Sequence, residues 1–175
     1  MTTLLLPIDG SDYSARAVDY AIKRARAARD AVQVQLLNVQ PPITTPHVKM
    51  LIDRDSIDQY YRDESETALA PALKALRAAN ISATPHSRVG HAAEEIITLC
   101  KSLACDEIVI GTHGRGGFKG ALMGSVAQKV VHLAAVPVVL IRKSADPRTT
   151  RDINLSTTRA AATSRSRAPA KSAGS

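Results

Sequence analysis

Aromatic residues are almost missing from this 175-residue chain, which has four Tyr, one Phe and no Trp, 3% of the total. Stacking platforms for single-stranded nucleic acid need aromatic faces, so that class of binder is disfavoured from the outset. Cysteine is equally scarce. Cys100 and Cys105 are the only two; they are too few for a disulfide framework and lack the nearby His pair of a zinc site, so free, buried or half-buried thiols are expected. No apolar run is long enough to cross a bilayer, and the longest, residues 133–141, is interrupted by Pro137. The N-terminus has no basic region, and Leu4-Leu5-Leu6 is too short for a signal-peptide core. A soluble, cytoplasmic protein with no membrane partner is therefore expected.

What the chain does hold is aliphatic. Hydrophobic residues make up 45%, mainly Ala, Val, Leu and Ile, the usual filling of a parallel sheet covered by helices and enough for the core of one domain. The net charge of +7 is uneven: residues 144–175 carry six Lys or Arg against Asp146 and Asp152, which places +4 of it in that segment. With only Ile153 and Leu155 as large aliphatics, the segment cannot offset its chain entropy by burial. It is expected to be a basic disordered tail after a domain over residues 1–143. Its two readings are a weak anchor for anionic partners, nucleic acid included, and a solvated linker without a partner.

Before the tail the pattern alternates. Residues 3–8 are a short apolar run ending in Asp9-Gly10-Ser11, a strand followed by turn and helix-cap chemistry, with Ser11 as the N-cap. Ala17, Ala21, Ala25 and Ala28 then recur at helical spacing beside Val18 and Ile22, a small face that lets a helix lie close on a sheet. Residues 32–39 form the next strand, and Pro41, Pro42 and Pro46 make residues 40–53 a long loop. A helix is expected over 56–79, kinked or divided in two at Pro71. Pro85 puts the polar strand 81–89 near a sheet edge. A helix over 91–104, a strand over 107–110, a glycine-rich stretch, a helix over 124–134 and a strand over 136–141 complete the series. Five strands interleaved with four helical segments predict an α/β domain built on an open, doubly wound, mainly parallel sheet.

The glycine-rich stretch carries the chemistry. From Gly111-Thr112-His113-Gly114-Arg115-Gly116-Gly117 to Gly124-Ser125 it links one strand to one helix, and ligands of open α/β sheets bind beyond the carboxyl ends of the strands, where this loop must lie. Glycines let backbone N–H groups converge on a phosphate, and a helix that starts at Gly124-Ser125 offers further free N–H groups and a favourable dipole. Arg115 and Lys119 add charge, and Ser125 adds a hydroxyl. The stretch has no Gly-x4-Gly-Lys-[Ser/Thr] string, so it does not fit the Walker pattern, and it fails the dinucleotide fingerprint because Gly114-Arg115-Gly116 is followed three places later by Lys119. The bland alternative is a flexible glycine-rich surface loop. Asp9 is open between a helix cap and a ligand contact, and Val39 between a core residue and one whose backbone meets a ligand.

The spacing Gly111-x2-Gly114-x9-Gly124-Ser125 resembles the G-x2-G-x9-G-[S/T] signature of ATP-binding universal stress proteins. The opening Leu5-Leu6-Pro7-Ile8-Asp9-Gly10-Ser11, the string from Asp106 to Gly116, and the closing stretch from Gly124-Ser125-Val126-Ala127 to Pro137-Val138-Val139-Leu140-Ile141-Arg142 are similar to that family as well. The resemblance covers residues 1–142. It implies an adenine nucleotide alpha-hydrolase-like, Rossmann-like single domain with strand order 3-2-1-4-5 and a site between strands 1 and 4. It further implies that Pro7 and Asp9 border the adenosine, that Val39 reads the adenine edge through its backbone, that Gly111, Thr112, His113, Gly114, Arg115, Gly116 and Gly117 run along ribose and phosphates, and that Gly124, Ser125 and Val126 close on the phosphate chain. On this basis Gly114→Val is expected to obstruct the phosphate path while leaving the sheet intact. The resemblance also implies a homodimer paired through strand 136–141, whose apolar edge would otherwise be exposed.

Hydrolysis of ATP needs a base or a water-positioning group beside the γ-phosphate and a metal to neutralise charge. The loop supplies His113, Arg115, Lys119 and Ser125 but no carboxylate, and Asp9 is assigned to the nucleoside end. A Mg²⁺ is expected to be held through the phosphates, with no protein ligands and no catalytic residues. The expected function is an ATP-binding regulatory or stress-response module whose surface is read by an unidentified protein partner. The alternatives are a slow ATP-hydrolysing enzyme using the same pocket, and an ATP-independent interaction protein working through its basic tail.

Overall fold

The computed structural model of the protein describes residues 1–44, 53–116 and 123–142. In chain order these form β1 (Thr2–Pro7), α1 (Asp12–Ala27), β2 (Val32–Gln40), α2 (Arg54–Ala78), β3 (Ala83–Val89), α3 (Ala92–Ser102), β4 (Glu107–Gly111), α4 (Ser125–Leu133) and β5 (Val138–Ile141). The strands make one sheet in the order β3-β2-β1-β4-β5, with every neighbouring pair parallel. The chain builds outward from β1 to β3, then returns to the other side of β1 to lay down β4 and β5. The carboxyl ends of β1 and β4 therefore flank the point where the winding direction reverses, which is where open α/β sheets leave a crevice for a ligand.

Strand alternation divides the core into two layers. Leu4 and Leu6 of β1 pack with Ala17, Val18 and Ala21 of α1 and with Leu69, Ala72 and Leu76 of α2. Leu5, between them, faces the other way and packs with Ile96, Leu99 and Cys100 of α3 and with Ala127 and Val130 of α4. All three leucines are fully buried, as the central strand of a sheet covered on both faces requires. Of the alanine face of α1, Ala17 and Ala21 are fully buried, Ala25 is half-buried and Ala28 lies past the last turn as the C-cap, while Ser11 caps the start by accepting the Ser14 N–H.

Several expected boundaries move, for physical reasons. A single α-helix runs through Pro71, so the division into two helices does not occur. Pro71 and Thr67, the residue whose carbonyl loses a donor there, both lie on the exposed side, where water can hydrogen-bond the carbonyl. The last strand begins at Val138 because Pro137, which has no N–H, joins the ladder only by accepting the Ile108 N–H at 3.0 Å. Helix α3 stops at Ser102 through a reversed turn: Ala104 has φ +47°, Cys105 N–H donates to the Cys100 carbonyl and Ala104 N–H to that of Lys101. This is the double bond pattern of a Schellman cap, which brings Cys100 and Cys105 together in the core as free thiols. Strand β3 lies at the sheet edge, as Pro85 suggests. The loop expectation over 45–52 and the tail expectation over 144–175 lie outside the described residues. Among the described residues no helix is long and apolar enough to cross a membrane.

Candidate functional site

A cavity of about 470 Å³ opens at the carboxyl ends of β1, β2 and β4, within the size range of small-molecule sites. Twelve of the thirteen residues singled out from the sequence line it: Pro7, Asp9, Val39, Gly111, Thr112, His113, Gly114, Arg115, Gly116, Gly124, Ser125 and Val126. Gly117 lies outside the described residues, as does Lys119. The sheet order sets the layout of the cavity. Leu37 and Val39 of β2 form one side, Pro7, Ile8 and Asp9 the middle, and the β4–α4 loop with the start of α4 the other. Ile96, Ile110, Met123 and Ala127 complete an apolar wall.

Asp9 is the most heavily bonded group at the site. Its Oδ1 accepts the Ser11 N–H at 3.0 Å and the Ser11 hydroxyl at 2.6 Å, and its Oδ2 accepts the Arg115 N–H at 3.0 Å. Burial on its own raises the carboxyl, but the bonds from Ser11 and the Arg115 N–H outweigh it and hold Asp9 below the usual carboxylate value of 3.8. Asp9 therefore turns the chain into α1 and also ties the glycine loop to the end of β1. The helix cap itself is Ser11, so of its two alternatives from the sequence Asp9 does not take the first, and it lines the cavity where the second would place it.

The loop is fitted to its neighbours by the absence of side chains. A methyl group at Gly111 would lie 2.6 Å from Tyr13 Cβ, and one at Gly114 would lie 2.5 Å from Asp9 Oδ2. Gly111 lets the first turn of α1 sit directly on the end of β4. At Gly114 the first atom a side chain meets is Asp9, so Gly114→Val disturbs the protein itself and is not a clean test of a ligand path. The Arg115 guanidinium reaches back over Gly10, where a methyl group would stand 3.0 Å from its Nη2. Thr112 is buried and anchors the loop, donating its N–H to the Ile141 carbonyl at 2.8 Å and accepting the Gly124 N–H at 2.7 Å. The His113 ring lies 5.5 Å from that of Tyr13, and its Nδ1 is 3.2 Å from Thr112 Oγ1.

Helix α4 meets the cavity with its N-terminus open. Its cap residue, Gly124, has no side-chain capping bond and its first turn has no acidic residue, whereas α1 has Ser11 and Asp12 in those roles. The first N–H groups of α4 thus lack protein acceptors from a cap, which suits an anion. Sequence reasoning missed several lining residues, among them Ile8, Ser14, Leu37, Ala92 and Ile96. One was within reach: the period of two along β2 leads from Val39 to Leu37.

The sequence pattern of the universal stress protein family matches residues 1–142. A universal stress protein of Methanocaldococcus jannaschii is 28% identical over 141 residues, covering 80% of this chain and 81% of that protein. The universal stress protein YxiE of Bacillus subtilis is 28% identical over 144 residues, covering 79% of this chain and 97% of that protein. Among solved structures, a universal stress family protein of Arabidopsis thaliana with AMP bound superposes with a TM-score of 0.61 at 18% identity, covering 83% of this chain and 94% of that one. A universal stress protein in complex with cAMP gives 0.60 at 22% identity, covering 82% and 98%. One from Archaeoglobus fulgidus in complex with dAMP gives 0.54 at 23% identity, covering 81% and 97%. At these identities the structural likeness is one of fold. The family match spans every described strand and helix together with the glycine loop, and the chain belongs to the universal stress protein family.

Proposed function

We propose that this protein binds an adenine nucleotide, ATP or a relative, in the cavity between β1 and β4, and acts as a nucleotide-dependent regulatory module in a stress response. The observation that carries this reading is the two-sided lining of that cavity. The aliphatic side formed by Leu37 and Val39 suits a planar base. The opposite side, with Arg115 and the open N-terminus of α4, suits phosphates. Pro7, Asp9 and Val39 would border the adenosine, Gly111 to Gly117 would follow ribose and phosphates, and Gly124, Ser125 and Val126 would close on the phosphate end. The AMP, cAMP and dAMP held by the fold relatives support an adenine ligand. A Mg²⁺ arriving with ATP would be held through phosphate oxygens.

Binding rather than turnover is the favoured activity. Asp9 is the only carboxylate among the described lining residues, and both its oxygens already accept hydrogen bonds, which leaves it poorly placed as a base for hydrolysis. A second copy of the chain is the proposed cover for β5: the strand is at the sheet edge and its four residues are only half-buried. Calorimetric titration of the full chain with ATP, AMP and GTP tests the function. Saturable binding of ATP and AMP, weakened by Ser125→Ala and Arg115→Ala, is expected; a folded protein that binds neither adenine nucleotide refutes it. At about one hundred times the dissociation constant, ligand would stabilise the fold by about 2.7 kcal/mol.

A further inference from the structure

A chain of hydrogen bonds, buried from Ser65 inward, runs from the far edge of the sheet to the cavity, and the ligand contacts above make no use of it. Asn38 of β2 is 2% exposed. Its Nδ2 donates to the Ile8 carbonyl at 2.7 Å, and its Oδ1 accepts from Ser65 Oγ at 3.0 Å and from Gln40 Nε2 at 2.9 Å. Ser65 of α2, also 2% exposed, gives its only proton to Asn38. In its 2.7 Å contact with Ser87 of β3, Ser65 must therefore accept and Ser87 donate. The direction is settled at every link: Ser87 to Ser65 to Asn38 to the Ile8 carbonyl.

That carbonyl belongs to the peptide that carries Asp9. The Ile8 N–H is also held by β2, donating to the Leu37 carbonyl at 2.8 Å. With both sides of Ile8 tied to β2, Asp9 leaves the strand in a set direction, and its Oδ2 reaches the Arg115 N–H on the opposite side of the cavity. A buried amide whose oxygen accepts two hydrogen bonds and whose nitrogen donates one is a firm support, and removing its donor takes away the Ile8 carbonyl's bond to β2.

We propose that Asn38 is a positioning residue of the nucleotide site: it holds the Ile8–Asp9 peptide so that Asp9 grips the glycine loop at Arg115. The ligand in this statement rests on the proposed function, while the mechanical link does not. Two readouts keep them apart: hydrogen exchange of the Arg115 amide in the ligand-free full chain, and AMP titration. Asn38→Leu removes donor and acceptor at similar volume, whereas ionised Asn38→Asp keeps the acceptor for Ser65 and Gln40 but sets a charged carboxylate oxygen against the Ile8 carbonyl in place of the donor. Both variants should speed exchange at Arg115 by about tenfold or more while the Leu5 amide, central in β1, keeps its rate. AMP affinity should fall about tenfold, equivalent to about 1.4 kcal/mol. Should neither variant fold, Ser65→Ala and Ser87→Ala carry the same test with a smaller effect, because they loosen Asn38 without removing it. Unchanged Arg115 exchange in a folded variant with a lowered melting temperature overturns the proposal, since Asn38 then serves stability alone. Exchange that responds to Asn38 in a protein that binds no AMP upholds the link and sinks the nucleotide reading. AMP binding with unresponsive exchange sinks the link alone.

Discussion

Adding one methyl group at position 114 separates the fitted loop described here from a merely flexible one. In Gly114→Ala the new Cβ would stand 2.5 Å from Asp9 Oδ2, whereas ordinary contact begins at 3.4 Å. Gly114 does not have a positive φ, so alanine itself is not strained and the whole cost falls on the contact. Either the loop lifts or the Asp9 carboxylate turns, and in both cases the 3.0 Å bond from the Arg115 N–H is lost. A hydrogen bond to a charged group contributes about 1.5–3 kcal/mol when shielded; Arg115 is exposed, so about 1–2 kcal/mol is the expected loss, or about 3–6 °C in melting temperature for a domain of this size. Gly116→Ala is the matched control, because a methyl group there meets nothing within 4 Å and Gly116 also has no positive φ. Thermal denaturation of the two variants beside the wild type decides the matter. Equal stability of Gly114→Ala and wild type, or equal damage in both variants, would refute the clasp between Asp9 and the loop.

Three other perturbations follow from the same geometry. Because the Asp9 carboxyl is held below 3.8, its clasp contributes stability above about pH 4 and loses it as pH falls through the folded-state value; Asp9→Asn should flatten that acid limb in pH-dependent melting, and an unaltered limb would contradict the assignment. Ala104→Gly should raise stability by about 1 kcal/mol in urea denaturation, since Ala104 occupies the left-handed region at φ +47°; a destabilised variant would count against the capping turn. Burial raises the Cys100 thiol and pushes that of Cys105 up to about 11, so neither should react with a disulfide reagent at pH 8 until denaturant is added. Rapid labelling of the native protein would be inconsistent with the pair's place in the core.

The alternation of five strands with covering helices is legible in the sequence because local signals and the fold agree there, whereas the strand order and most of the cavity-lining positions come from the family resemblance. The all-leucine centre of β1, the alanine stripe of α1 and the spacing from Gly111 to Gly124 each express a packing demand that a neighbouring element meets. What is not legible arises from contacts between distant parts of the chain. Asp9 and the Arg115 N–H are 106 positions apart, and nothing near either residue announces the bond; the glycine at 114 reads as a phosphate feature until Asp9 is seen facing it. Pro71 carries a local breaking signal that its exposed position makes harmless. Ala104 hides a helix stop that glycine would have marked, so α3 reads two residues too long. Asn38 did leave a trace, as the one polar residue in Leu36-Leu37-Asn38-Val39, but only the positions of Ile8 and Ser65 give it a role.

The central claim is that adenine nucleotide occupies the cavity with its phosphates on the loop and the start of α4. Mapping backbone amide shifts of the full chain during AMP titration tests it most directly. Saturable shifts should concentrate at Asp9, Val39, Gly111 to Gly116 and Gly124 to Val126, with the largest on the first amides of α4. Shifts centred elsewhere, or none at millimolar AMP in a folded protein, would contradict the account.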